Sequence, residues 1–223
     1  MSNNNEKNEF QIIRLDAKNC FVESMNDYFS YGKVHLQFVK YDLSKPAGSR
    51  QTEFISIFID IPEFLVLASA SASGRLKSKA IELGGKSVYE CFGGTSARRL
   101  KVTNQSRSDG KSLSRVFTIS NSNAGFFFSA ASGPGEENQK GLISPKYGSN
   151  PENQVSVAMS ERQANKLFLI TQMHYQAWLT AEYSGKNPII SEGKSPINPS
   201  EQSNVLSNGS EIGKSGADDI KMF

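Results

Sequence analysis

Thr52-Glu53-Phe54-Ile55-Ser56-Ile57-Phe58-Ile59-Asp60-Ile61-Pro62-Glu63 changes periodicity partway along, and the fold class follows from that change. Ile55, Ile57, Ile59 and Ile61 form one stripe with Phe54 and Phe58 opposite, the period of two expected of a strand. Both faces are partly apolar, so one is core and the other a candidate binding surface. At Asp60 the pattern turns helical: Asp60 suits an N-cap, Pro62 the first turn, and Glu63 the positive end of the helix dipole. A helix is expected from Ile61 to about Ser73, closed by Gly74, and Arg75 to Gly85 can extend it after a break.

Upstream, Tyr31 to Leu43 is a second long strand: Val34, Leu36 and Phe38 face the core, while Lys33, His35 and Gln37, with Lys40 beyond, face solvent. Ser44 to Arg50 is a turn by its Pro and Gly content, and Phe10 to Leu15 is a short strand. Downstream, strands are expected at Ser87–Phe92, Arg98–Thr103, Arg115–Ser120 and Gly125–Ala131, with turns at Gly93–Ser96 and Asn121–Asn123. Ser132 to Pro151 reads as a loop and Gln154 to Ala158 as a short strand. Ser160-Glu161-Arg162-Gln163 is a capping box that opens the longest helix. Its apolar arc (Ala164, Leu167, Phe168, Thr171, Tyr175, Trp178 and Leu179, widened by Leu169, Ile170 and Met173) predicts a helix wrapped by protein or by a second copy, with His174 as a core residue.

The order is strands, helix, strands, helix, which predicts an α+β fold with mostly antiparallel sheet and two helices. That order resembles the Whirly or PC4-like single-stranded DNA-binding fold, which repeats four strands and a helix. The resemblance would span about residues 10–183 and rests on element order alone. An OB-fold barrel is the alternative.

The chain has 223 residues and a net charge of +3. From Ser184 on, four lysines face five carboxylates, which leaves an excess of four positive charges on the rest, in keeping with a polyanion binder. Between positions 98 and 115 lie Arg98, Arg99, Lys101, Arg107, Lys111 and Arg115, opposed only by Asp109. Tyr89 and Phe92 precede this run; Phe117, Phe126, Phe127 and Phe128 follow it, and the loop beyond carries Lys146 and Tyr147. Cations with interleaved rings suit unpaired nucleic acid, because phosphates take the charge and exposed bases stack on rings. The candidate contacts are Lys33, His35, Lys40, Tyr89, Phe92, the basic run, Phe117, Phe126, Phe128, Lys146 and Tyr147. The plainer alternative makes the rings strand core and the basic run a solvated hairpin. Phe127 and Phe128 cannot both face one core, because adjacent strand residues point to opposite faces.

Residues 1–9 are polar and residues 184–223 are rich in Ser, Asn, Gly and Pro, so both are expected to stay outside the folded domain at 10–183. The chain finishes Gly216-Ala217-Asp218-Asp219-Ile220-Lys221-Met222-Phe223. This tip resembles the end of bacterial single-stranded DNA-binding proteins, which close on several aspartates followed by Ile-Pro-Phe. The resemblance implies that Asp218, Asp219, Ile220 and Phe223 dock in basic pockets of replication or repair partners. Lys221 and Met222 stand where that family has one proline.

Cys20 and Cys91 have no spacing that suggests a disulfide framework or a metal, and they read as free thiols of a cytoplasmic protein. No secretory signal or membrane span is apparent, and no cofactor motif: each Gly-Lys-Ser lacks the earlier glycine of a P-loop. The expectation is a non-catalytic single-stranded DNA-binding protein, with an RNA-binding regulator or a protein-interaction adaptor as alternatives.

Overall fold

A computed structural model describes residues 9–184, in which the strands form two antiparallel sheets. The first joins β1 (Gln11–Ala17), β2 (Cys20–Met25), β3 (Lys33–Tyr41) and β4 (Gln51–Asp60) in chain order. The second runs β5 (Ser87–Thr95), β6 (Ser112–Ser122), β7 (Gly125–Glu137) and β8 (Ile143–Pro145), with β9 (Asn153–Ser160) also paired to β7. Helices α1 (Ile61–Ala72) and α2 (Arg75–Glu82) follow β4, α3 (Ala97–Val102) links β5 to β6, and α4 (Glu161–Ser184) follows β9. The fold is therefore α+β and antiparallel, with strands then helix twice over. Among the described residues, four α-helices stand where two were expected.

The core stripe of β3 and β4 is buried as its alternation demands. Val34, Leu36 and Phe38 on one strand meet Ile59, Ile57 and Ile55 on the other, residue opposite residue. One continuous core then takes in Phe64 and Leu67 of α1, Phe117, Phe126 and Phe128 of the second sheet, and Leu167 and Phe168 of α4. Lys77 of α2 ties helix to sheet: its Nζ donates to Asn121 Oδ1, the Ser122 carbonyl and the Gly125 carbonyl at 2.7 to 3.0 Å.

Several local expectations change. Asp60 does not cap α1 with its side chain, because its carboxylate accepts from Lys33 Nζ at 2.6 Å instead. Residues 98–102, expected as strand, are helical, and Thr103 is their C-cap. Ser96 Oγ caps the helix by accepting the Arg99 N–H, and Leu100 is the one buried anchor. Strand β5 continues through Gly93 and Gly94 to Thr95, where a turn was expected. β7 likewise runs on through Ser132-Gly133-Pro134-Gly135, and β8 folds back on it, so half of the expected loop is sheet. β2 was not expected, since its residues Cys20 to Met25 do not alternate in polarity. Its partner is set by the tight turn at Lys18-Asn19, where Asn19 has φ 61°.

The capping box forms as read: Ser160 Oγ accepts from the Gln163 N–H, and Gln163 Oε1 accepts from the Ser160 N–H. Only the first half of α4 is deeply buried, on the face of Ala164, Leu167, Phe168 and Thr171, while Tyr175 and Trp178 pack on Phe29. Leu169, Met173 and His174 are exposed, so this chain does not itself wrap the helix and His174 is not core. Among the described residues, no helix is long and apolar enough to cross a membrane.

Candidate nucleic-acid interface

The register of the second sheet sorts its residues into two faces. Arg115, Phe117 and Ile119 of β6 share the inner face with Phe128 and Ala130 of β7 and with Val155 and Val157 of β9. The outer face consists of cross-strand rows. One row is Glu90, Thr118, Ser129 and Ser156; the next is Phe92, Val116, Ala131 and Gln154; on the other side lie Ser120, Phe127 and Ala158. Most of these side chains are small, so the large ones stand clear. Phe92 is 59% exposed and Phe127 42%. Among the described residues, neither packs on another ring, so each is a candidate stacking platform.

Tyr147 walls this face at one end. Gly133 makes room for it, since a Cβ there would lie 2.7 Å from the ring. Ile143 is seated the same way over Gly94 and Gly135. The result is a groove lined by Phe92, Tyr147, Val116, Ala131, Thr118 and Glu90, among others. Burial pushes the Tyr147 phenol above its usual range, so it stays a neutral ring at neutral pH.

Exposed cations adjoin the groove's strands in the chain. Arg98, Arg99 and Lys101 are exposed on α3, directly after β5, and Lys111 is exposed just before β6. Lys146, next to Tyr147, pairs with Glu136, and such exposed pairs contribute at most ~1 kcal/mol, so a phosphate can displace the carboxylate. Arg107 differs. It is clamped by Asp109 and, through two bonds of 2.6 Å, by Glu152, which hold its pKa up and neutralise it internally.

The other expected contacts are not brought to this face. Phe117, Phe126 and Phe128 are 0%, 1% and 0% exposed and form the core, because two of the three rings at 126–128 share the inward parity. Phe127 takes the outward place: parity sets it opposite Phe126 and Phe128, and the packing of the sheet decides which side is covered. Tyr89 faces inward, half-buried against Phe117. Arg115 is partly buried with its guanidinium on Thr95 Oγ1, and burial lowers its pKa. Lys40 lies in a separate cleft beside Glu53, which accepts its Nζ at 2.6 Å and raises its pKa.

The first sheet carries a second aromatic cluster on its outer face. Tyr28 packs on Phe58 at 4.5 Å, Phe58 stacks on His35 at 4.6 Å, and Tyr31 leans on Tyr28 at 5.4 Å. Lys33 flanks it, held by Asp60. These rings occupy one another's faces, unlike Phe92 and Phe127. His35 is 5% exposed rather than wet, because Phe58 and Tyr28 cover it.

His35 also titrates unusually. Its Nδ1–H donates to Asp27 at 3.0 Å, while Nε2 is buried with no hydrogen-bond partner. A proton on Nε2 would find no acceptor, so burial depresses the pKa despite Asp27, and Arg115 lowers it further. The unfolded chain then binds more protons than the native one in the window below the ordinary histidine pKa of about 6.5. Stability is full above that value and falls as pH drops through it toward the depressed folded value. Thermal melts from pH 7.5 to 5 are expected to show this decline, and His35→Asn to flatten it. An unchanged slope in the variant would assign the decline to other groups.

No protein-family model matches this chain, and no curated protein matches it.

Proposed function

We propose that the protein binds single-stranded DNA across the outer face of its second sheet, without catalysing a reaction. The observation that carries this is the pair Phe92 and Phe127, two exposed rings on one sheet face, neither of which packs on another ring among the described residues. Strand rise and spacing put them roughly 16 Å apart, with the Glu90 to Ser156 row between. An unpaired strand can stack on both while its phosphates reach Arg98, Arg99, Lys101, Lys111 and Lys146. Duplex DNA buries its base faces in its own stack and has none to offer the rings.

The tip residues Asp218, Asp219, Ile220 and Phe223 lie outside the described residues. Their role as the segment that recruits replication or repair proteins is part of the proposal and rests on the sequence resemblance.

Fluorescence anisotropy with oligo-dT, a matched duplex and a matched RNA, each at low and moderate salt, tests the reading. Tight oligo-dT binding that weakens with salt is expected, since phosphate neutralisation releases counterions. Removal of residues 218–223 is expected to keep or raise that affinity. Failure of oligo-dT to bind at low salt would overturn the proposal in favour of a protein adaptor, and stronger RNA binding would make the protein an RNA regulator.

A further inference from the structure

Given that this face takes unpaired nucleic acid, we infer that Glu90 and Thr118 make it select guanine. Among the described residues lining the groove, Glu90 is the only charged one. A lone carboxylate repels phosphate, so its neighbourhood suits a base edge and not the backbone. Glu90 is two residues before Phe92 on the same face of β5, which separates them by roughly 7 Å. A base stacked on Phe92 therefore turns one edge toward the carboxylate.

The four bases differ on that edge. Guanine presents N1–H and N2–H side by side, two parallel donors that match the two oxygens of one carboxylate. Beside them its O6 is an acceptor. Thr118, directly across from Glu90 on β6, has the hydroxyl that can donate to it. Thymine offers one N–H between two carbonyl oxygens that repel Glu90. Adenine and cytosine each place a ring acceptor next to their amino group, so each satisfies one carboxylate oxygen and opposes the other. No other common base gives the carboxylate two donors while also accepting from the hydroxyl.

The inference rests on the proposed single-strand reading, and the two fail in different ways. Four labelled thymine oligomers, with thymine, adenine, cytosine or guanine at one central position, are titrated by anisotropy. The guanine oligomer is expected to bind about five- to tenfold more tightly, since it can settle with its guanine on Phe92. Glu90→Gln is expected to remove that preference and to tighten thymine binding, because a negative charge leaves the face. Thr118→Val, at a second position, is expected to shrink the preference without tightening thymine binding. Equal binding of the four oligomers, or a guanine preference that survives Glu90→Gln, would overturn the inference and leave the single-strand reading standing. If none of the four binds at low salt, both fall.

Discussion

Phe92→Ala combined with Phe127→Ala is expected to weaken oligo-dT binding by about 30-fold or more. Base stacking on a protein ring is worth roughly 1 to 3 kcal/mol per base, and ~1.4 kcal/mol is a factor of ten. Phe92 is 59% exposed and Phe127 42%, so the stability cost is expected to be about 1 to 2 kcal/mol, below that of a buried ring. Anisotropy and a thermal melt of the same sample separate the two effects. Each single variant is expected to lose part of the affinity, because the rings sit too far apart to substitute for one another. If the double variant binds as tightly as the parent, the interface lies elsewhere. The Tyr28, Tyr31 and Phe58 cluster on the first sheet would then be the surface to alter next.

Phe128→Ala, one residue along from Phe127, is expected to act in the opposite way. Its ring is fully buried between Phe117 and Phe168, with centroids 5.7 Å away on each side. Removing a buried aromatic costs about 3 to 5 kcal/mol, the lost burial plus the cavity left behind. Against a typical total of about 5 to 15 kcal/mol that is a large fraction. For a domain of this size the melting midpoint is expected to fall by roughly 6 to 20 °C. Any variant that remains folded is expected to bind oligo-dT normally, since Phe128 has no surface to offer. A Phe128→Ala protein with an unchanged midpoint and lost binding would reverse the assignment of the two faces. Neighbouring phenylalanines thus give a paired test in which one position reports on ligand and the other on core.

The elements with clean alternation are legible in the sequence. Val34, Leu36 and Phe38 and the isoleucine stripe of β4 point inward as their period requires, and the change of period at Asp60 marks where strand becomes helix. Gly74, in the left-handed conformation at φ 75°, ends α1 as expected of glycine. Short or mixed segments were less legible. Residues 97–102 hold β-tolerant and helix-tolerant side chains alike, and a cap at Ser96 with one buried leucine tips them to helix. β2 lies hidden because its Glu23 is buried on the sheet face, where burial raises its pKa.

The candidate site divides on the same line. Composition and spacing pointed to the cations and rings around positions 86–147 as candidates. They did not say which rings face outward. That depends on which side of the second sheet receives α4 and the first sheet, and parity alone leaves the two faces equivalent until a partner covers one. Nor did spacing show that Arg107 is neutralised, because Glu152 reaches it from 45 positions away.

From the sequence alone came the α+β class, the main strands, the ends of α1, the capped start of α4 and the acidic, aromatic tip. Each of these is set by local physics: side-chain period, backbone freedom and capping, all within a few residues. Only the tertiary structure decided that Phe127 and Phe92 are open while Phe126 and Phe128 are core, that Tyr147 closes a groove over Gly133, and that Glu90 stands alone among the groove's neutral residues. Those facts depend on pairings between distant strands, where burial of one face fixes the chemistry left on the other.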